Sequence, residues 1–399
     1  MKKFMMMALL AVAANSAFAQ DALKEILKCK DYSQAAALVQ SNLSSLNDEQ
    51  KAKAYNKLVE ISKSKVDKEV GIMQENQMMA QMGQKGDKPV DTAGMYDALA
   101  KALTDAMECD KYDVLPNAKG KVAPKFHKKN QEGLWNLRAN LVNAGQDALQ
   151  ADDNATSLKY FGLYVETSTS PLFAEIDKTK TPDLYLGEVA RVAGTLAYQQ
   201  KDEVAANKYI DIALTDTTSY KEALNVKMAL MQQAMKTHED SVACVSEFEK
   251  LYKNDPQNEN LFANLASLLG SLGQTDRQSQ LISERLASNP NDFMALATKG
   301  QMEMQASKWD EAIADFKSAA AIKDDALILT WMAYCNNNKA AGIENAAQQK
   351  SILEETCGYL EKARQLDPNQ ERANWKYLLY NIYYNLYGEN DSRTQEVAQ

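Results

Sequence analysis

The chain has 399 residues, of which 45% are hydrophobic and 25% charged, and its formal net charge at pH 7 is −9. This balance is that of an ordinary folded protein, so it excludes collagen-like, largely disordered and polytopic membrane classes, and it gives no overall attraction for nucleic acid. The chain contains only 8 Pro and 16 Gly, too few turn residues for an all-β protein. Helix is therefore the predicted secondary structure.

The first 19 residues have the organisation of a Sec signal peptide. Lys2 and Lys3 form a basic start, residues 4–14 are uncharged and mostly apolar, and residues 17–19 (Ala-Phe-Ala) form a small-x-small cleavage box. We expect cleavage after Ala19 and release of the mature protein into the periplasm. The residue after this site is not cysteine, so lipid attachment is not expected, and no later segment is predicted to span a membrane.

The next part of the chain is predicted to be helical but less regular. Residues 20–70 are expected to form an N-terminal helical hairpin or cap, because apolar residues such as Ala35 and Val39 recur at helical spacing. Residues 71–130 are expected to be an irregular connecting region with one helix. It is rich in Met and Gln at its start and in Lys at its end.

Two segments of this connecting region each allow two interpretations. The methionines within 73–82 could bind Cu(I), which prefers thioether sulfur, or could form an adaptable packing surface, which the lack of nearby His or Cys favours. The lysines within 117–130 could bind an anionic partner, but a solvated loop between domains is the favoured interpretation. The methionines are Met73, Met78, Met79 and Met82.

A 34-residue period organises the second half of the chain. Pro256 and Pro290 are 34 residues apart, and the segment that begins at Phe293 has small and aromatic residues at regular positions. Two antiparallel helices approach closely only where small residues meet. We therefore expect Gly300 to face Ala312, with Phe316 filling the space against the following repeat. The residues that define this best copy are Gly300, Ala312, Phe316 and Ala319.

Weaker copies of the same pattern occur on both sides. The copy at 259–292 keeps its proline but has Gln278 and Arg285 where alanine is usual. After residue 324 the period stretches by ten residues, which we place within 335–351. The residues that mark the weaker copies are Gly145, Gly194, Ala206, Ala213, Phe248, Pro256, Pro290 and Pro368.

This pattern resembles the tetratricopeptide repeat (TPR) family. The resemblance implies an all-α fold, a right-handed solenoid of antiparallel helix pairs, with an array over 131–390 and a tail over 391–399. It also places Cys335 and Cys357 on the two helices of one pair. These two cysteines are interpreted either as a disulfide or as two core thiols.

One predicted helix, residues 375–387, has two distinct faces. Its aliphatic face is expected to close the last repeat, and its opposite face carries tyrosines that offer both apolar area and hydroxyl groups. In TPR proteins first helices line the concave groove, so the resemblance implies a partner-binding surface. The alternative is that the tyrosines pack under the tail. They are Tyr377, Tyr380, Tyr383, Tyr384 and Tyr387.

The functional prediction is a non-enzymatic scaffold. The sequence has no G-x-S-x-G, H-E-x-x-H, Walker-type or G-x-G-x-x-G motif, so no catalytic residue, metal site or cofactor is predicted. We expect a periplasmic protein that binds a peptide or protein of the cell envelope through its groove. The alternative is a glycan-binding protein similar in fold to the starch-binding outer-membrane lipoproteins.

Overall fold

The structure is a computed structural model that describes residues 18–117 and 119–398. Most of the predicted signal peptide, residues 1–17, therefore lies outside the described residues. The described chain forms two compact units, which divide between Gln232 and Gln233. No helix among the described residues has both the length and the apolar character that crossing a bilayer needs.

The first unit is built from helices joined by turns, with longer linkers before the fourth, fifth and eighth helices and two 3-10 turns at Leu137–Ala139 and Pro171–Phe173. Its buried core runs from the middle of the third helix into the tenth, and a smaller cluster lies under the first three helices. The helices are α1 (18–28), α2 (Tyr32–Asn42), α3 (Asp48–Gln81), α4 (Thr92–Asp113), α5 (His127–Leu134), α6 (Asn140–Gln150), α7 (Asn154–Ser168), α8 (Leu186–Gln199) and α9 (Glu203–Ala213); α10 (Tyr220–Ala234) ends just past the division.

The second unit continues the same construction to the end of the described chain. Its largest core cluster extends from the fourteenth helix to the last. The helices are α11 (His238–Asn254), α12 (Glu259–Ser271), α13 (Thr275–Ser288), α14 (Phe293–Gln305), α15 (Trp309–Ile322), α16 (Ala326–Ala341), α17 (Ala346–Leu366), α18 (Trp375–Tyr387) and α19 (Ser392–Ala398).

The prediction of an all-α fold made of TPR-like antiparallel helix pairs is confirmed. Most consecutive helices within each unit pack on each other, most extensively in the pairs α3–α4, α6–α7, α8–α9, α14–α15 and α16–α17. The expected alanines are fully buried within these pairs. They are Ala206, Ala213, Ala312 and Ala319.

Three pairs share one close contact between a glycine and a large side chain at the same spacing. A Cβ added at Gly145 would lie 2.5 Å from the ring of Phe161, and one added at Gly300 would lie 2.7 Å from the ring of Phe316. Gly194 has the same relation to Ile210, at 2.6 Å. The group closest to Gly300 is therefore the ring of Phe316 and not Ala312, which was expected to face it. The same ring also lies 5.6 Å from that of Trp331 in α16, so Phe316 packs against the following repeat as expected.

Polar side chains at two repeat positions of the 259–292 copy are accommodated by compensating residues. Gln278 is buried and its Nε2 donates to the carbonyl of Ala266 at 3.0 Å, while Gly270 leaves room for its amide. Arg285 is also buried and forms a 2.7 Å ion pair with Asp292. The pattern is weak here because buried polar pairs replace alanine packing.

The turns of four helix pairs each use one residue in the left-handed backbone region. Asp152, Lys201 and Ser307 have φ between 56° and 62°, and Gly273 has φ 68° in the α12–α13 pair. In the α6–α7 pair the next residue, Asp153, caps α7 by accepting a hydrogen bond from a backbone N–H. Only one of the four turns has glycine, the residue that adopts this conformation at least cost.

Replacing Ser307 with glycine is expected to raise the free energy of unfolding by about 1 kcal/mol, because left-handed backbone costs other residues about that much. Chemical denaturation of the full chain measures this change. The reciprocal change, Gly273→Ser, should lower the free energy of unfolding by a similar amount. Nothing lies within 4 Å of a Cβ at that position, so the left-handed backbone is the only cost of adding a side chain. Equal stability of both variants and the parent chain would contradict the turn assignment.

The connecting region 71–130 contains the expected helix and more helix besides. It holds the last 11 residues of α3, all of α4 and the first half of α5. The expected irregularity is confined to the two linkers, because α4 is apolar enough to form a central part of the first unit's core. The predicted domain boundaries remain predictions.

The ten extra residues after residue 324 lengthen a helix pair: α16 and α17 have 16 and 21 residues, against 13 and 14 in α14 and α15. The predicted tail is helical over Ser392–Ala398.

Candidate functional site

Helix α18 is held rigidly at its start by the preceding turn. The carboxylate of Asp367 accepts hydrogen bonds from the backbone N–H groups of residues 371–373 at 2.8–2.9 Å. These bonds stabilise the ionised form and lower the pKa of Asp367. The indole of Trp375 donates to the carbonyl oxygen of Asp367 at 2.7 Å. The orientation of α18 is therefore fixed before any partner binds.

The five tyrosines of α18 do not form one continuous surface. Tyr383 is 6% exposed and its hydroxyl donates to Glu361, so burial and this carboxylate raise its pKa. Tyr387 is partly buried, and the guanidinium of Arg393 lies 3.4 Å from the centre of its ring. The expectation that Tyr383 and Tyr387 face a partner is corrected, because the aliphatic core and α19 cover this side of the helix.

The other tyrosines lie on the open side of α18. Tyr377 is 71% exposed and Tyr384 is 49% exposed. Tyr380 is partly buried, with its ring centre 6.3 Å from that of Tyr384. Tyr377 and Tyr380 border a cleft of about 430 Å³, which we call the tyrosine cleft. Its lining residues are Gln370, Asn374, Lys376, Tyr377, Tyr380, Val397 and Ala398.

Helix α19 forms the opposite wall of the tyrosine cleft. Thr394 is fully buried and its hydroxyl donates to the carbonyl of Gly388 at 2.9 Å, and Val397 is 4% exposed. An ion pair of 2.6 Å between Arg364 and Glu396 joins this helix to α17. Gly388 has φ 84°, a conformation that suits glycine and lets the chain reverse between the two helices.

The polar groups of the tyrosine cleft are available to a ligand. Lys376 is the one charged residue in its lining, and it forms no ion pair with any residue in the described ranges. The side-chain amides of Gln370 and Asn374 are exposed and form no hydrogen bond within the same ranges. The cleft therefore combines aromatic area, amide donors and acceptors, and one positive charge.

A second cleft, of about 470 Å³, lies in the first unit between α4, α7 and α9. Most of its charges are already paired: Asp97 contacts Lys101 at 2.6 Å, and Glu166 contacts Lys208 at 2.9 Å. The remaining carboxylate, Asp202, accepts a hydrogen bond from a backbone N–H at the start of α9. A ligand would have to break these pairs to use the charges. The tyrosine cleft is therefore the better candidate site.

A buried carboxyl group that was not identified from the sequence lies beside this second cleft. Asp105 is 7% exposed, and the Tyr32 hydroxyl donates to it at 2.9 Å. Burial raises the pKa of Asp105 to about 7, although the Tyr32 hydrogen bond opposes the shift. Position 105 lies within a mostly apolar helical segment. The only sequence signal for a buried carboxyl group there was its place on the buried side of α4.

The lysine-rich segment is tied back to α4. His127 Nδ1 lies 2.5 Å from the carboxylate of Asp110, and both side chains are largely buried. The carboxylate of Asp113 accepts hydrogen bonds from the backbone N–H groups of residues 125–127 at 2.7–2.9 Å. Lys125 and Lys129 contact acidic residues of α3.

All five cysteines lie among the described residues and all are free thiols. The disulfide considered between Cys335 and Cys357 is therefore not formed in the structure. Cys335 is fully buried in the second unit's core, and Cys357 is partly buried against it. Burial raises the pKa of Cys335 to about 12 and that of Cys357 to about 11, so both thiols are protonated at neutral pH.

No protein-family model matches this chain, and no curated protein matches it in sequence. Solved structures that resemble it include a tetratricopeptide repeat protein from Parabacteroides merdae, which is 11% identical with a TM-score of 0.35 over 66% of this chain and 99% of that one. A TPR protein from Bacteroides fragilis is 15% identical with a TM-score of 0.25, over 62% and 98%. Yeast Tom70 is 15% identical with a TM-score of 0.37, over 92% and 84%.

Proposed function

We propose that this protein is a non-catalytic helical-repeat scaffold that binds a peptide or protein segment in the tyrosine cleft. The observation that carries this proposal is Tyr377, a tyrosine that is 71% exposed on a helix whose start is fixed by Trp375 and Asp367. Tyrosine is a frequent anchor at binding surfaces because its ring is large, rigid and amphipathic. A rigid site loses little conformational entropy when it binds.

The chemistry of the tyrosine cleft favours a peptide segment that carries a carboxylate. The free amides of Gln370 and Asn374 can donate to and accept from a peptide backbone, and Tyr377 and Tyr380 can cover an apolar side chain. Lys376 supplies a positive charge with no internal counterion in the described chain, so a carboxylate of the partner would complement it.

An array of immobilised 15-residue peptides of graded net charge tests this proposal. We expect the full chain to select acidic peptides with an aromatic or aliphatic residue, and Tyr377→Ala to reduce their binding at least tenfold. Lys376→Glu should reverse the preference for acidic peptides, because it changes the sign of the one charge in the lining. Tyr185→Ala is a matched control, since Tyr185 is 52% exposed and lies in the other unit.

A glycan is the second candidate ligand, because aromatic rings beside free amides also suit the faces and hydroxyl groups of a sugar. A glycan array run with the same variants separates the two. Glycan binding that depends on Tyr377, without peptide binding, would replace the peptide proposal. Binding of neither class would overturn both.

We also propose export to the periplasm, with a partner in the cell envelope. The support is the sequence of residues 1–19, with two early lysines, an apolar run and the Ala-Phe-Ala box. A mature chain that begins at Gln20 in a periplasmic fraction is the expected product.

A further inference from the structure

A cluster of three charged side chains joins the two helices of the α14–α15 pair. Lys299 and Glu303 come from α14 and Asp315 from α15. The Nζ of Lys299 lies 2.9 Å from Oδ2 of Asp315 and 3.6 Å from Oε1 of Glu303. The two carboxylate side chains are only 12% and 15% exposed. One lysine therefore faces two largely buried carboxyl groups.

The charges of this cluster are not balanced when both carboxyl groups are ionised. The second oxygen of Glu303, Oε2, is buried and has no hydrogen-bond partner in the described chain. Helices α12, α13 and α16 also pack on α14, and within the described residues they bring no charged side chain into contact with Glu303. An ionised Glu303 is thus left with poor solvation and a like charge beside it.

We propose that the α14–α15 pair is a proton-sensitive element, in which Glu303 holds a proton that it shares with Asp315, and loss of this proton loosens the pair. Burial, the largest cause, and the Asp315 carboxyl raise the pKa of Glu303 from 4.5 to about 7, while Lys299 opposes the shift. Glu303 lies in the last turn of α14, beside the left-handed turn at Ser307. The proton therefore acts at the tip of the helix pair.

The sign of the pH effect follows from the raised pKa. The folded state holds the proton at pH values where the unfolded state has released it, so the contribution to stability is complete below about pH 4. It is lost as pH rises through about 7. Between pH 6 and pH 8 the ratio of folded to unfolded chain should fall about tenfold through this group alone.

Urea unfolding of the full chain at pH 6 and pH 8 tests the proposal with Glu303→Gln, which mimics the protonated form. We expect this variant to unfold at a higher urea concentration than the parent chain at pH 8, and to lose the tenfold pH effect. Asp105 also has a raised pKa, but its contribution is common to both proteins and cancels in the comparison. Glu311→Gln is the control, because Glu311 is an exposed carboxylate on the same helix pair.

A second measurement keeps the proposal testable if the variant does not fold. The carboxyl ¹³C resonance of Glu303 in the full-length parent chain should titrate near pH 7. A midpoint near the ordinary glutamate value of 4.5, or an unchanged pH dependence in Glu303→Gln, would overturn the proposal.

Discussion

Replacing Asp183 with alanine is expected to lower the free energy of unfolding of this protein by about 3–5 kcal/mol, because it leaves a buried guanidinium without its counterion. Arg138 and Asp183 form a 2.8 Å ion pair in which the side chains are 3% and 5% exposed. The guanidinium also donates to the Thr167 hydroxyl at 2.8 Å and to the Tyr164 carbonyl at 3.0 Å.

Two aromatic rings complete this buried site. The guanidinium of Arg138 lies 4.2 Å from the ring centre of Trp135 and 4.3 Å from that of Tyr164. The Tyr164 hydroxyl donates to Asp183, and burial together with this bond raises the pKa of Tyr164. Asp183 therefore fixes the segment before α8 as well as neutralising the arginine.

Urea denaturation followed by far-UV circular dichroism measures the effect of Asp183→Ala. Asp87→Ala is the control: Asp87 and Lys85 form a surface pair that is 68% and 91% exposed, so this change should alter stability by less than about 1 kcal/mol. Removing both charges together, as Arg138→Met with Asp183→Val, should recover most of the loss. A loss below about 1 kcal/mol in Asp183→Ala would show that Arg138 remains solvated.

Changing Gly300 to alanine is expected to destabilise the chain by about 1–3 kcal/mol, although alanine normally stabilises a helix relative to glycine. The added Cβ would lie 2.7 Å from the ring of Phe316, which is fully buried and cannot move away. The new methyl group therefore forces the α14 and α15 helices apart.

Gly358 is the matched control for this change. It lies within α17, and no atom is within 4 Å of a Cβ at its position, so Gly358→Ala should raise stability by about 0.5–1 kcal/mol. A second variant, Phe316→Leu in the Gly300→Ala background, should recover part of the loss because it removes the ring. Stabilisation by Gly300→Ala would contradict the close approach of the two helices.

The sequence allowed the helix pairs to be predicted, because small residues at the crossing points leave a visible period. It did not give the rotation of each helix about its axis, so the partner of Gly300 was placed at Ala312 rather than Phe316. The 34-residue period is also weak where a residue outside the repeat pattern makes room for a polar side chain at a repeat position. Gln278 is accommodated by Gly270, a residue to which the repeat pattern assigns no role.

The candidate site was only partly predictable for a related reason. A helical projection separates the tyrosines of α18 from its aliphatic residues. It cannot show how much of the helix circumference is covered by neighbouring helices. Helix α19 packs beside the buried side of α18, and its Arg393 covers the ring of Tyr387. The alternative in which the tyrosines pack under the tail applies to Tyr387, but the sequence did not show that the tail forms a helix or which tyrosines it covers. Tyr377, on the open side of α18, stays exposed.

Site-specific photo-crosslinking in living cells tests the central claim, that Tyr377 marks the partner-binding site, most directly. A benzophenone-bearing amino acid in place of Tyr377 is expected to give a covalent adduct with a distinct protein. The same amino acid in place of Tyr185, which is also exposed but lies outside the tyrosine cleft, should give none. Absence of an adduct at position 377, or the same adduct at both positions, would contradict the claim.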